Sequence, residues 1–143
     1  MIDATETVPA DRPGPGRRRD PLCDEAIFAA TLALFAEGGY AGVSIEGVAA
    51  RAGVGKATIY RRHPSKSQLV VAAVHRCACG ADFMPDTGDV RADLTSMLAG
   101  LRDLLRSELG PVLLAFAGER VRYSELDDEF KRSVIGAKRA HMR

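Results

Sequence analysis

The stretch from Ser44 to Lys66 constrains the fold more than any other part of the chain. Ser44 is a good N-cap, because its hydroxyl can accept a hydrogen bond from a backbone N–H in the first turn of a helix. Gly53 can adopt the left-handed backbone that ends a helix, and Pro64 cannot lie inside one. The stretch therefore predicts two short helices joined by a tight glycine-containing turn, which is the layout of a helix-turn-helix.

The second of these helices is basic. It is predicted to open at Gly55 and to run through KATIYRR, and from Gly42 to Arg76 the chain has six basic residues and one acidic residue. Lys and Arg neutralise phosphates, Thr and Tyr hydroxyls donate to phosphate oxygens, and Arg can bind guanine with two hydrogen bonds. This composition suits a DNA duplex, although a solvated basic helix on an ordinary helical bundle has the same composition.

Charge is distributed unevenly along the chain. The net charge is +1, yet residues 81–143 hold ten basic and eleven acidic residues, so the positive field lies in the N-terminal half. This asymmetry suits a chain with one DNA-facing end and one nearly neutral end. No apolar run approaches the length of a membrane span and no secretory signal is visible, so we expect a cytoplasmic protein without a membrane partner.

The cysteine pattern does not indicate a disulfide framework or a metal site. Cys23, Cys77 and Cys79 are odd in number and widely placed, as expected for reduced thiols. On one continuous helix only His75 and Cys79 would share a face, and two ligands are too few for structural zinc. We predict no metal and no cofactor. No nucleophile–base set or Gly-rich phosphate loop is present, so we also predict no catalytic residues and no enzymatic activity.

Two further helices are predicted to flank the helix pair. Asp20-Pro21 is a good helix start, and that helix should run to about Glu37, where Gly38-Gly39 stop it. Ser65 and Gln68 form a capping box that should start the second flanking helix, which follows the helix pair. The apolar stripe of the first helix should pack against Val48, Ile59 and Leu69; its members are Ile27, Ala30, Thr31, Leu34 and Phe35.

These motifs together resemble the DNA-binding domain of the TetR family of transcriptional regulators, from about Asp24 to Val74. The residues that carry the resemblance are Phe35, Gly39-Tyr40, Ser44, Ala49 to Val54, Thr58-Ile59-Tyr60 and Pro64-Ser65-Lys66. The chain departs from the family pattern at Gly55, where Ser is common, and at His63, where an aromatic residue is common.

The resemblance and the composition of the basic helix together predict which residues contact DNA. Arg61, with Lys56 and Ala57, is predicted to face base edges, and the hydroxyl and ammonium groups of this region are predicted to contact phosphates. The full predicted set is Ser44, Lys56, Ala57, Thr58, Tyr60, Arg61, Arg62 and Lys66. By the same resemblance the partner is an operator in double-stranded DNA, expected to be palindromic and bound by a homodimer in the full-length protein.

The C-terminal half is predicted to be helical from its apolar spacing alone. We expect an amphipathic helix over Asp89 to Leu109, a second from Pro111 to about Tyr123, and a third capped by Ser124. The resemblance implies that these helices enclose a pocket for a small-molecule effector of unknown identity. Its candidate lining residues are Met97, Leu113, Phe116 and Met142, although an apolar stripe is more often plain core.

The sequence thus predicts an all-α protein with three parts. Residues 1–19 form a disordered basic arm, residues 20–76 a helix-turn-helix DNA-binding domain built on three helices, and residues 77–143 a partial ligand-binding and dimerisation region, apparently truncated. The expected function is that of a sequence-specific, ligand-responsive repressor. The alternative is a helical effector-binding or interaction protein without operator recognition. We expect the 143-residue chain to be monomeric or weakly dimeric, with an uncovered apolar face at Phe130, Val134 and Ile135.

Overall fold

The computed structural model describes residues 21–78 and 85–135. Within these ranges all regular structure is helical, as predicted, and no strand is present. The predicted basic arm and Met142 lie outside the described residues. The helices are α1 (Pro21–Gly42), α2 (Ile45–Ala52), α3 (Lys56–Arg62), α4 (Lys66–Ala78), α5 (Val90–Arg106), α6 (Gly110–Arg122) and α7 (Ser124–Phe130), followed by a π-helical turn over Lys131–Ile135. None of the helices in the described ranges is both long and apolar enough to cross a membrane.

The core forms around α1, as its apolar spacing predicted. Val48 of α2, Ile59 of α3 and Leu69 of α4 are fully buried in one cluster with the α1 stripe, and Leu34 is partly buried beside it. Thr31 is buried within this stripe, and its hydroxyl donates to the Ile27 carbonyl at 2.7 Å. Because that donor is satisfied, a polar residue can lie in the core at little cost.

A break interrupts α1 near its C-terminal end. The sequence predicted a stop at Gly38-Gly39, and Gly39 indeed has non-helical backbone angles (φ 63°, ψ −162°). The residues up to Gly42 then form a short separate turn that leads into Ser44. Only glycine tolerates this φ without strain, so the position of the break is encoded locally.

Helix α6 packs against α1 and helix α7 against α4, and both extend the core. Phe116 and Leu126 are buried in the same cluster as the residues of α1 to α4. The predicted cap at Ser124 is wrong, because Ser124 is the first helical residue and Tyr123 occupies the cap position without a side-chain hydrogen bond. Arg120 instead braces this end of the bundle, since its guanidinium binds Asp127 at 2.6 Å and lies 3.7 Å from the Phe130 ring centroid.

Helix α5 differs most from its sequence-based description. Asp89, expected as its first residue, is its N-cap and accepts hydrogen bonds from the backbone N–H groups of Arg91 and Ala92, but none of the helix residues is buried. Phe130 is partly buried, and the side chains of Val134 and Ile135 lie outside the described part of the chain, so the uncovered face expected there stays a prediction. Among the described residues, most of the large exposed apolar side chains lie on α5, at Val90, Leu94, Leu98, Leu101 and Leu105.

Candidate nucleic-acid interface

The helix pair α2–α3 has the local geometry that its sequence predicted. The Ser44 hydroxyl oxygen accepts a hydrogen bond from the Gly47 backbone N–H at 3.0 Å. Gly53 ends α2 in the left-handed conformation (φ 68°), and its N–H donates to the Ala49 carbonyl. Helix α3 begins after Gly55, which supplies no side-chain cap, and it ends at His63 before Pro64.

The inner face of α3 is held by three contacts with α1 and the core. Ile59 is fully buried. The Arg62 guanidinium forms an ion pair with the Asp24 carboxylate of α1. The His63 ring lies 5.6 Å from the Phe28 ring, so it takes the place of an aromatic residue, and burial lowers the pKa of His63. Together these contacts fix which side of α3 faces solvent.

The outer face of α3 is exposed and carries all three residues predicted to face base edges. Lys56, Ala57, Tyr60 and Arg61 are exposed, and Thr58 is partly buried. The Lys56 ammonium lies 3.6 Å from the Glu46 carboxylate, a solvent-exposed pair that contributes little to stability. Arg61 forms no ion pair with any residue that the structure describes. Its guanidinium is therefore available to a ligand outside the protein.

Two of the predicted DNA contacts, Arg62 and Lys66, are partly buried against partners within the protein. The Arg62 side chain is only 20% exposed in its pair with Asp24, so its main role here is to hold α3 against α1. Lys66 is partly buried, with its ammonium 4.2 Å from the centroid of the Tyr40 ring. Burial lowers the pKa of Lys66, and the nearby Glu125 carboxylate opposes that shift. An ammonium has three donors, so a contact on one side leaves others free for a phosphate.

The candidate effector-lining residues lie at different depths. Phe116 is buried, with its ring 6.2 Å from Phe35 and 5.7 Å from Phe130, which is the packing of a core residue. Leu113 is partly buried against the same cluster, and Met97 is partly buried on α5. The structure thus places Leu113 and Phe116 with the core, in agreement with the plainer of the two interpretations of this stripe.

Sequence analysis missed several residues that hold the interface in place. Asp24 and Glu119 were not singled out, and neither was the contact between the Tyr40 ring and the Tyr123 ring of the C-terminal half, whose centroids lie 4.8 Å apart. These partners are separated along the chain by 38 residues for Asp24–Arg62 and by 79 for Tyr40–Glu119. No periodicity or short motif relates residues so far apart.

The thiols and histidines do not form a metal site within the described ranges. There, no group of three or more His, Cys, Asp and Glu side chains lies close enough to hold a metal ion. Cys23 and Cys77 are free and partly buried, and burial raises the pKa of the Cys77 thiol. Cys79 lies outside the described residues.

Comparison with known proteins places this geometry in a family. The family model described as bacterial regulatory proteins, tetR family, matches residues 27–73, which run from α1 into α4. An uncharacterized HTH-type transcriptional regulator of Mycobacterium tuberculosis is 34% identical over 143 residues, a match that spans 98% of this chain and 68% of that protein. The HTH-type transcriptional repressor KstR of Rhodococcus jostii is 50% identical over 50 residues, spanning 35% of this chain and 24% of the repressor.

A solved structure extends the similarity beyond the helix-turn-helix. The crystal structure of the TetR family transcription regulator SCO0332 aligns with a TM-score of 0.54 and 29% sequence identity, and the match covers 82% of this chain and 65% of that one. The alignment therefore spans helices on both sides of α4, although the chain spans slightly less than two thirds of that regulator. Together with the 34% identical sequence match, this structural match leads to one conclusion: the chain belongs to the TetR family of bacterial regulatory proteins and is a DNA-binding transcriptional regulator, not an enzyme.

Proposed function

We propose that this chain is a sequence-specific repressor that binds a palindromic operator through α3 as part of a homodimer, in the cytoplasm. The observation that carries the proposal is the division of α3 into two faces. Ile59 and Arg62 hold one face against the core, while Arg61 on the other face is exposed and has no partner among the described residues. A helix held in this way can enter the major groove without rearranging its own domain.

Base readout is assigned to Arg61, with Lys56 and Ala57 beside it. A guanidinium matches the O6 and N7 acceptors of guanine with two hydrogen bonds, and each such pair discriminates against a wrong base by about 1–3 kcal/mol. Ala57 is exposed and small, and it suits an apolar contact with a thymine methyl group. The exposed ends of these side chains support the assignment because none of them is needed for the core.

Phosphate contacts are assigned to Ser44, Thr58, Tyr60 and Lys66. Ser44 is exposed at the N-terminus of α2, where unpaired backbone N–H groups and the helix dipole favour an anion. Tyr60 is 47% exposed, which leaves its hydroxyl free to donate to a phosphate oxygen. Such contacts fix the register of the protein on the duplex but do not read its sequence.

Replacing Lys66 with alanine should weaken binding to all DNA sequences by a similar factor. Because the ammonium would neutralise one phosphate, the slope of log K against log salt concentration should fall by about one unit. Fluorescence anisotropy titrations at several salt concentrations measure this slope. A matched control is Arg106→Ala, which removes an exposed cation of α5. An unchanged slope in the Lys66 variant, equal to that of the control, would exclude the phosphate contact.

The C-terminal helices are assigned to effector response and assembly. We propose that an unidentified small molecule binds in this half and changes the spacing of two paired α3 helices, which must reach major grooves about 34–36 Å apart. The effector can do so only to the extent that it binds the two arrangements with different affinity. The DNA-binding residues 20–76 and the region 77–143 then act as two functional parts, although α4 crosses the boundary between them.

Binding to the DNA upstream of the gene that encodes this chain tests the proposal. We expect a shift with a duplex from that region at a concentration where a scrambled duplex of the same length and composition remains free. Equal affinity for the two duplexes would contradict sequence-specific recognition and favour a helical interaction protein that only attracts polyanions.

A further inference from the structure

The break in α1 leaves one backbone donor that the helix itself cannot satisfy. Because Gly39 has φ 63° and ψ −162°, the chain turns away from the helix axis before Tyr40. The Tyr40 backbone N–H donates instead to the Glu119 carboxylate of α6, at a nitrogen–oxygen distance of 2.9 Å. A carboxylate that accepts a backbone N–H makes a charge-assisted hydrogen bond, which is stronger than a neutral one.

Gly39 leaves the space that this carboxylate occupies. A Cβ atom at position 39 would lie 3.2 Å from a Glu119 carboxylate oxygen, tighter than an ordinary contact. Gly39 therefore both permits the positive φ and allows the carboxylate to approach the freed donor. The positive φ of Gly39 and its lack of a side chain are therefore both required for this contact between α1 and α6.

The surroundings of the contact hold Glu119 and Tyr40 in place. The Glu119 side chain is 17% exposed, and the Arg122 guanidinium lies 3.6 Å from its carboxylate. Tyr40 is 3% exposed, with the Tyr123 ring 4.8 Å from its own ring on the side of the C-terminal helices. Burial is the main cause that raises the pKa of Tyr40 to about 12, so its hydroxyl stays protonated at neutral pH. The contact is therefore partly shielded from water. Hydrogen bonds are stronger in such a low-dielectric environment than in water.

We propose that Glu119 is a positioning residue for DNA binding, which fixes the orientation of the DNA-binding helices relative to α6 by accepting the Tyr40 N–H. The proposal rests on the proposed function, because orientation matters only when two copies of α3 must reach two half-sites. Without the bond, the α1–α2 junction loses a contact that fixes its angle to α6, so that angle varies more widely, while Ile59, Val48 and Leu69 still hold the helix-turn-helix together. A single half-site would be bound as before, and a pair of half-sites would not.

Affinities for a palindromic duplex and for its half-site distinguish positioning from simple loss of structure. Glu119→Ala should weaken binding to the palindrome about tenfold, consistent with the loss of a hydrogen bond to a charged group, and should leave half-site binding within about twofold. Glu119→Gln keeps an oxygen acceptor and should recover most of the palindrome affinity. Glu108→Ala, which removes an exposed carboxylate just before α6, is the matched control and should behave like the unmodified protein.

The bond itself is tested in the absence of DNA by hydrogen exchange of the Tyr40 amide. Exchange should accelerate at least about tenfold in Glu119→Ala relative to core amides such as that of Ile59. Equal loss on palindrome and half-site, or unchanged exchange at Tyr40, would overturn the positioning role. If the proposed operator binding itself is wrong, the unmodified protein will not prefer the palindrome over a scrambled duplex. That outcome is distinct from those that refute the role of Glu119.

Discussion

Replacing Arg61 with alanine should abolish most of the preference for the operator over random DNA. The guanidinium is exposed on the outer face of α3 and has no partner among the described residues, so its full hydrogen-bonding capacity is available to a base. Loss of a bidentate contact should cost about 1–3 kcal/mol on the preferred site and much less on random sequence. Anisotropy titrations of both duplexes at one salt concentration measure the difference.

Arg61→Lys separates charge from hydrogen-bond geometry in this prediction. Lysine retains the positive charge but lacks the planar fork that matches guanine, so this variant should lose specificity while keeping its salt dependence. If both variants lose equal affinity for operator and random DNA, Arg61 contacts phosphate and not a base. Operator preference retained in the lysine variant would mean that the cation recognises the base without the planar fork.

Replacing Ile59 with alanine should strongly destabilise the fold. Ile59 is fully buried where α3 meets the core, and truncating such a side chain costs about 2–5 kcal/mol through lost transfer energy and the cavity left behind. A small protein has about 5–15 kcal/mol of stability in total, so the change is a large fraction of it. Urea unfolding followed by circular dichroism measures the free energy of unfolding.

Two controls make the Ile59 prediction specific to the buried face. Ile59→Val removes one methylene and should cost only about 0.5–1.5 kcal/mol. Val121→Ala truncates an aliphatic residue that is 88% exposed on α6, and it should change stability by less than about 0.5 kcal/mol. A cost for Ile59→Ala no larger than that for Val121→Ala would mean that α3 does not pack through this face.

The DNA-binding helices could be predicted closely because their signals are local. The cap at Ser44, the left-handed Gly53 and the stop before Pro64 each act within a few residues, and each lies where the sequence indicated. The buried stripe of α1 follows from the helical repeat in the same way. Such features require no knowledge of distant parts of the chain.

The contacts that orient these helices could not be predicted from the sequence. The pairs Asp24–Arg62 and Tyr40–Glu119 form only after the helices pack, and nothing in the sequence near one partner specifies the other. Helix α5 illustrates the same limit, because the periodicity of its leucines predicts an apolar face but not what lies against it. At Ser124 a good capping residue lies next to the helix start, and the backbone places Tyr123 at the cap instead.

The mass of the complex with DNA tests the central claim most directly. A preferred duplex can be selected from a random pool, and sedimentation equilibrium at fixed salt then compares that palindrome, its half-site and a scrambled duplex. We predict two chains on the palindrome, one on the half-site and none on the scrambled duplex at the same concentration, with the DNA-free chain monomeric or weakly dimeric. A mass that does not depend on the DNA sequence, or the absence of any complex, would contradict recognition of an operator by paired α3 helices.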